Sequence, residues 1–334
     1  MIIVTGGAGF IGSNIVGALT DQGRDRVVVC DTLGAGDKWR NIAKHDIADL
    51  IAPARLFDYL NGLTRSAWIF SRPVDAIVHM GAISSTTETD ADLIFETNVR
   101  LSLELWTWCA RHGARFIYAS SAATYGDGSQ GFDDAFTADD LARLRPLNGY
   151  GWSKHQFDRR VEKMRRSLDR PPQWAGLKFF NVYGPNEYHK GSQRSVAIQI
   201  FERAMAGESM RLFKSHHPDD PDGGQRRDFV YVADSVDVVL WLLDHPGVSG
   251  FFNMGTGRSR TFLDLANAVY AALGRDPNIE FVDTPPGLRD KYQYFTEARM
   301  ERLRAAGYAK PFTSLEDGVA DYVRGYLATD DPYR

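Results

Sequence analysis

Tyr150 and Lys154 stand four residues apart in Asn148-Gly-Tyr-Gly-Trp-Ser-Lys154. On a helix that spacing puts both side chains on one face. An ammonium beside a phenol stabilises the phenolate and lowers a pKa that starts near about 10. The pair then forms a base able to take a hydroxyl proton while a hydride leaves the same carbon. The spacing alone recurs by chance, so its weight comes from its surroundings. Ser121, in Ser120-Ser-Ala-Ala-Thr-Tyr-Gly126 at the end of an expected strand, is suited to hydrogen-bond a reacting oxygen or simply to cap a turn.

A second constellation lies at the start of the chain. Gly6, Gly9 and Gly12 punctuate Thr5-Gly-Gly-Ala-Gly-Phe-Ile-Gly12, between an apolar β-branched run and a helical pattern. A pyrophosphate needs backbone N–H groups close to its oxygens, where a Cβ would block the approach, and a helix N-terminus behind the turn adds a favourable dipole. Asp31 falls at the end of the next apolar run, 19 residues past Gly12, where an acid accepts hydrogen bonds from an adenosine ribose. Its charge favours NAD. Lys38 and Arg40 offer compensation for a 2′-phosphate or else belong to a solvated basic loop.

The elements that must position these groups follow an alternating rhythm. Short apolar runs at 1–5, 27–31, 76–80, 116–120 and 175–182 read as strands, with helical patterns at 11–21, 92–112 and 153–168. Strands alternating with long helices predict βαβ units and a parallel sheet. The expected fold is α/β, a Rossmann-type doubly wound parallel sheet with a smaller, interleaved α/β substrate domain. Residues 1–180 form the dinucleotide domain, with 228–255 returning to it, and 181–227 and 256–330 form the substrate domain. Trp106, Trp108, Phe116 and Tyr118 are read as packing residues, and Glu88, Asp90 and Asp92 as an acidic cluster at a helix N-terminus.

The chain has 334 residues, 43% hydrophobic and 25% charged, with a net charge of −4. These values exclude a mainly disordered chain and give no footprint for nucleic acid or an anionic membrane. Cys30 and Cys109 are too far apart and too few for a disulfide framework or zinc site. The absence of a leader or a long apolar stretch leads to the expectation of a soluble, cytoplasmic protein. The 31 glycines are a mild excess, about 9% against about 7% on average.

Together, the glycine turn, the serine segment and the Tyr-Gly-Trp-Ser-Lys piece resemble the extended short-chain dehydrogenase/reductase (NAD-dependent epimerase/dehydratase) family, whose members modify nucleotide sugars. The likeness extends through 1–14, 84–88, 118–126, 180–185, 189–192, 227–232 and 304–308, nearly the whole chain. Ser84-Ser-Thr-Thr-Glu88 and His189-Lys-Gly-Ser192 are its most specific parts. The resemblance implies an epimerase acting at C6″ of an ADP-heptose, in lipopolysaccharide precursor synthesis, through a transient 6″-ketone. Tyr150, Lys154 and Ser121 are the implied catalytic residues, with Lys190 as a second acid/base, because inversion requires proton transfer on two faces. Lysine suits that role when burial lowers its pKa.

The implied cofactor is NADP, with NAD the alternative. It is held by Gly6, Gly9, Phe10, Ile11, Gly12, Asp31, Thr32, Lys38, Met80, Gly81, Ala82, Ile83, Ser84, Thr97, Asn98, Tyr150, Lys154, Val182 and Lys190. The implied sugar-nucleotide contacts are Ser121, Asn181, Ser192, Gln199, Phe213, Lys214, Ser215, His216, Arg227 and Tyr292. Arg227 is suited to grip a phosphate bidentately or to form a rim salt bridge. A homo-oligomer, a pentamer, is also implied. The sequence departs from the family pattern at Gln199, at Lys214-Ser-His216 and in a longer loop over 216–224. The His and Asp residues of that loop have no fixed spacing, and no metal site is expected. Ala122 and Ala123 after Ser121 argue against a dehydratase, which places acids there. A 4-epimerase on the same fold and a dinucleotide sensor without turnover are competing readings of the same motifs.

Overall fold

The computed structural model describes residues 1–24, 26–64, 73–134, 137–215, 221–285 and 294–334. The strands among them are β1 (Ile2–Thr5), β2 (Val27–Cys30), β3 (Asp49–Ile51), β4 (Ala76–His79), β5 (Arg115–Ser121) and β6 (Trp174–Phe179). They continue with β7 (Asn181–Tyr183), β8 (Met210–Phe213), β9 (Arg226–Tyr231), β10 (Gly250–Met254), β11 (Ser259–Thr261) and β12 (Ile279–Val282). Apolar runs without polar alternation suit strands covered on both faces, and β1, β2 and β4 are buried at every position.

Seven strands form one sheet in the order β3-β2-β1-β4-β5-β6-β10, parallel throughout. This is the Rossmann order with one strand added beyond β6. The chain winds outward in both directions from β1 and β4, so a crevice opens at their C-terminal ends. The helices used below are α1 (Phe10–Asp21), α2 (Leu101–His112), α3 (Gly149–Met164), α4 (Val196–Met205), α5 (Val232–Asp244), α6 (Phe262–Leu273) and α7 (Leu315–Tyr322).

Three expected elements are rearranged. The run at 175–182 is two strands, because the Phe180 N–H bonds the Met254 carbonyl and the Val182 N–H closes a tight turn on the Phe180 carbonyl. The chain thereby leaves the large sheet, and β7 joins a three-stranded sheet, parallel to β9, which pairs antiparallel with β11. The helix at 92–112 is interrupted by a widened turn over Phe95–Arg100. The helix expected at 153–168 begins at Gly149 because the Asn148 side chain accepts the Gly151 N–H at its N-terminus, which places Tyr150 in the first turn.

The segment 228–255 is shared: β9 belongs to the three-stranded sheet, while α5 packs on α1 and β10 pairs with β6. A two-stranded sheet of β8 and β12 lies beyond. Trp106, Trp108, Phe116 and Tyr118 are buried in the core, and Asp90 caps the helical segment that begins at Ala91.

The turn after β1 is shaped by contacts no side chain tolerates. Gly6 has φ +63, and a Cβ there would lie 2.6 Å from the Gly81 nitrogen. A Cβ on Gly12 would lie 2.1 Å from the Gly6 carbonyl oxygen. The third glycine thus fits the first turn of α1 against the glycine loop itself. Gly12→Ala must push that loop away from its ligand. Its dinucleotide affinity is expected to fall about tenfold or more, as for one lost charge-assisted hydrogen bond, in calorimetric titration of a variant with unchanged circular dichroism.

Candidate active site

The catalytic pair is carried by α3, and its height above the sheet is set by Gly151. A Cβ at that position would meet the Ala123 carbonyl oxygen at 2.7 Å. The glycine lets the helix rest on the turn that follows β5, which brings Tyr150 to Ser121. The Ser121 hydroxyl oxygen accepts the Ala123 N–H at 3.1 Å, and the same hydroxyl is the polar neighbour that acts on the Tyr150 phenol. Burial pushes the Tyr150 phenol above its ordinary value, the Ser121 hydroxyl pulls it back and the Asp158 charge adds to the rise. The expected net lowering is therefore not what the protein alone produces: desolvation outweighs the neighbouring donor. Lys154 is itself buried, which lowers its pKa to about 8 despite the opposing field of Asp158.

Asp158, one turn beyond Lys154, is fully buried. Its carboxylate accepts from the Tyr118 hydroxyl at 2.9 Å, the Ser120 hydroxyl at 2.7 Å and the Lys178 ammonium at 2.6 Å. Lys178 also donates to the Thr124 hydroxyl at 2.7 Å, and that hydroxyl donates to the Ser121 carbonyl at 2.8 Å. This ion pair ties α3 to β5 and β6 on both sides of Ser121. Neither residue was among those expected at the site. Asp158 repeats the four-residue spacing of Tyr150 and Lys154, and Lys178 is a charge inside a run expected to be wholly buried.

Lys190 lines the same cleft from a separate segment, a helical turn over Tyr188–Gln193. Burial lowers its pKa, and Glu187 pulls the other way. Its ammonium lies 5.4 Å from the Phe10 ring centroid. Glu187 is held by the Ser195 hydroxyl at 2.6 Å and the Tyr322 hydroxyl at 3.0 Å. The segment is fastened to α1 through Asn186, whose amide donates to the Ser13 hydroxyl at 3.0 Å.

One cleft of about 810 Å³ gathers these groups, a size suited to small-molecule ligands. At one end lies Asp31, which accepts the Ala8 N–H at 2.9 Å and the Lys38 ammonium at 2.7 Å. His189 faces the same end. Its Nδ1 lies 3.1 Å from the Asn41 amide nitrogen, whose two hydrogens are directed at the Ala8 and Asn186 carbonyls. Burial and the charges of Lys38 and Lys190 lower its pKa to about 4. The side-chain-free glycine cradle and the acid at the ribose position fit a nicotinamide dinucleotide.

Of the residues singled out in the sequence, the cleft wall brings together Gly6, Gly9, Phe10, Ile11, Gly12, Asp31, Lys38, Met80, Gly81, Ala82, Ser84, Ser121, Tyr150, Lys154, Asn181, Val182, Lys190 and Ser192. Thr86, Thr87, His189, Gln193, Arg194 and Ser195 join them. Asn98 lies behind the wall, with Thr97 in the widened turn beside it. The Gln199 amide turns back onto the Arg194 and Ser195 carbonyls. Phe213 and Lys214 belong to the two-stranded region, where Lys214 pairs with Asp283 at 3.2 Å and the Ser215 N–H meets Asp222. The Arg227 guanidinium lies 5.6 Å from the ring centroid of Phe262, a wall residue. His216 and Tyr292 lie outside the described residues.

A parallel Rossmann sheet whose cleft joins a glycine cradle to a Ser-Tyr-Lys triad defines a nicotinamide-dependent enzyme of the short-chain type. Residues 2–255 match the NAD dependent epimerase/dehydratase family, and the chain belongs to that family. An ADP-L-glycero-D-manno-heptose-6-epimerase of Nitratidesulfovibrio vulgaris is 52% identical over all of both chains. The crystal structure of the Helicobacter pylori ADP-L-glycero-D-manno-heptose-6-epimerase superposes with a TM-score of 0.76 at 27% identity, covering 97% of this chain and 95% of that one. The Thermus thermophilus UDP-glucose 4-epimerase in complex with NAD gives a TM-score of 0.71 at 26% identity, covering 97% and 99%.

Burial of Lys154 has a consequence for stability. Its folded pKa of about 8 lies below the ordinary value of 10.5, so the unfolded chain binds more protons between those pH values and stability rises with pH across them. Below about 8 the penalty is full, on the order of 3 kcal/mol. Lys154→Met is expected to unfold at higher urea concentration than the wild type at pH 7, with the gap closing towards pH 10, while losing turnover. Lower stability of the variant at pH 7 would contradict the burial argument.

Proposed function

We propose that this chain inverts C6″ of ADP-D-glycero-D-manno-heptose to give ADP-L-glycero-D-manno-heptose. The observation that carries the reading is the presence of two proton-transfer groups, Tyr150 and Lys190, on separate segments of one cleft wall. The 52%-identical full-length relative bearing that activity in its name supports the substrate. The chemistry supplied by a bound nicotinamide is reversible uptake of hydride from C6″.

Tyr150 removes the C6″ hydroxyl proton on one face, with Ser121 hydrogen-bonded to the same oxygen and Lys154 supplying positive charge beneath. Lys190, its ammonium weakened by burial, exchanges the proton on the other face once the ketone has turned over. A 4-epimerase has no use for that second group. The Lys38 ammonium, paired with Asp31, supports NADP as the resident cofactor, with NAD the alternative that Asp31 favours. The cofactor is assigned to the large-sheet part of the chain, and sugar recognition to Asn181, Ser192, Arg227 and the segments after β7. A cytoplasmic homopentamer is the proposed assembly.

The purified protein, given ADP-D-glycero-D-manno-heptose without added cofactor, is expected to change the C6″ configuration followed by NMR. Lys190→Ala is expected to lose epimerisation by about a hundredfold or more, as for a general acid/base, with unchanged melting temperature and retained nicotinamide. Unchanged turnover in that variant would remove Lys190 from the mechanism.

A further inference from the structure

Behind the cleft wall lies a chain of buried polar groups that the proposed reaction leaves unexplained. His79 ends β4 and is 1% exposed. Its Nδ1 lies 2.6 Å from the Thr5 hydroxyl and its Nε2 lies 3.0 Å from the Ser102 hydroxyl. The direction of every bond follows from the ends. The Ser102 hydroxyl spends its proton on the Asn98 carbonyl at 2.7 Å, so it accepts from His79 Nε2–H. Nδ1 is then bare and accepts the Thr5 proton, and the Thr5 oxygen accepts the Gly81 N–H at 3.2 Å.

The chain continues beyond Ser102. The Asn98 side chain brackets Ile83, accepting its N–H at 2.9 Å and donating to its carbonyl at 2.9 Å. The same amide donates to the Ser153 hydroxyl at 2.9 Å, which donates to the Tyr150 carbonyl at 2.7 Å. Thr5, His79, Asn98, Ser102 and Ser153 are all nearly inaccessible. Burial holds the imidazole neutral, with a pKa of about 3, and Lys154 is the charged group that adds to this effect.

We propose that neutral His79, as the Nε2–H tautomer, is a positioning residue that locks the 81–83 loop of the dinucleotide cradle to the first turn of the catalytic helix. Gly81 is the loop residue it reaches by hydrogen bonds, through Thr5, and Ile83 is held by the side chain of Asn98, whose backbone carbonyl takes the Ser102 proton. Gly81 sits where a Gly6 Cβ would be, so slack at either residue moves both halves of the cradle. An unpaired buried donor or acceptor in such a chain costs more than the bond itself, which holds the tautomer and the loop together.

The proposal rests on reading the cleft as a nicotinamide site, which wild-type binding of NAD or NADP tests separately. The experiment is equilibrium binding of both dinucleotides to cofactor-stripped protein, with steady-state kinetics on the sugar nucleotide. Thr5→Val keeps the shape and frees Gly81, and Ser102→Ala frees the other end. Each is expected to weaken dinucleotide binding about tenfold and to lower kcat, leaving KM for the sugar nucleotide within about twofold. His79→Gln, able to accept on one side and donate on the other, is expected to bind more tightly than His79→Phe. If wild type binds while Thr5→Val and Ser102→Ala match its affinity and kcat, and only their melting temperatures fall, His79 is a packing residue and the proposal is overturned.

Discussion

The ion pair between Asp158 and Lys178 has both side chains wholly inaccessible, and it anchors the catalytic helix to β5 and β6 at the height that Gly151 permits. Burying two charges costs several kcal/mol each before their attraction is counted, so the pair adds little to net stability. Its structural effect is on geometry. An uncompensated charge at either position is far more expensive than the pair itself, so displacements that separate α3 from β5 and β6 are disfavoured. Ser120 and Thr124 belong to the same network, and Ser121 lies between them. The groups that meet the reacting oxygen are therefore held from below, by residues that never touch it.

That arrangement explains which features could be read from residue types alone. The glycine turn, Asp31 and the Tyr-Lys pair declare themselves because their local spacing carries their geometry: a loop of three glycines, an acid at a strand end, one face of a helix. The parallel sheet follows from apolar runs separated by helical patterns. The partition of 175–182 was not legible, because its side chains are equally suited to either sheet. A backbone turn at Phe180, closed partly by a bond to the distant Met254, decides it. His79, Asn98 and Ser102 form their network only when β4 and α2 are packed, and no local pattern marks three small polar residues as partners. Gln199, Lys214 and Ser215 came from a family pattern: Gln199 stands behind the wall, bonded to the carbonyls of Arg194 and Ser195, and the contacts of Lys214 and Ser215 are with Asp283 and Asp222.

Charge is distributed with a consistent purpose across the site. Each positive group facing the cleft has either a carboxylate close by or a lowered pKa: Lys38 lies on Asp31, Lys190 beside Glu187, and Lys154 within the field of Asp158. An anionic ligand therefore meets cations already balanced by the protein, and its own charge competes with theirs. The overall charge of −4 conveys nothing of this balance.

The turn at Phe180 has a mechanical corollary. One residue separates the last strand position of the cofactor sheet from the first of the neighbouring sheet, and its ring and its backbone N–H are both engaged. A hinge needs several residues free to alter their torsions, and this crossing offers none. Large rotation of one sheet against the other is suppressed at the point nearest the reacting atoms. Whatever room a sugar needs to swing between two faces must come from the segments that follow β7, with the sheets serving as a rigid frame.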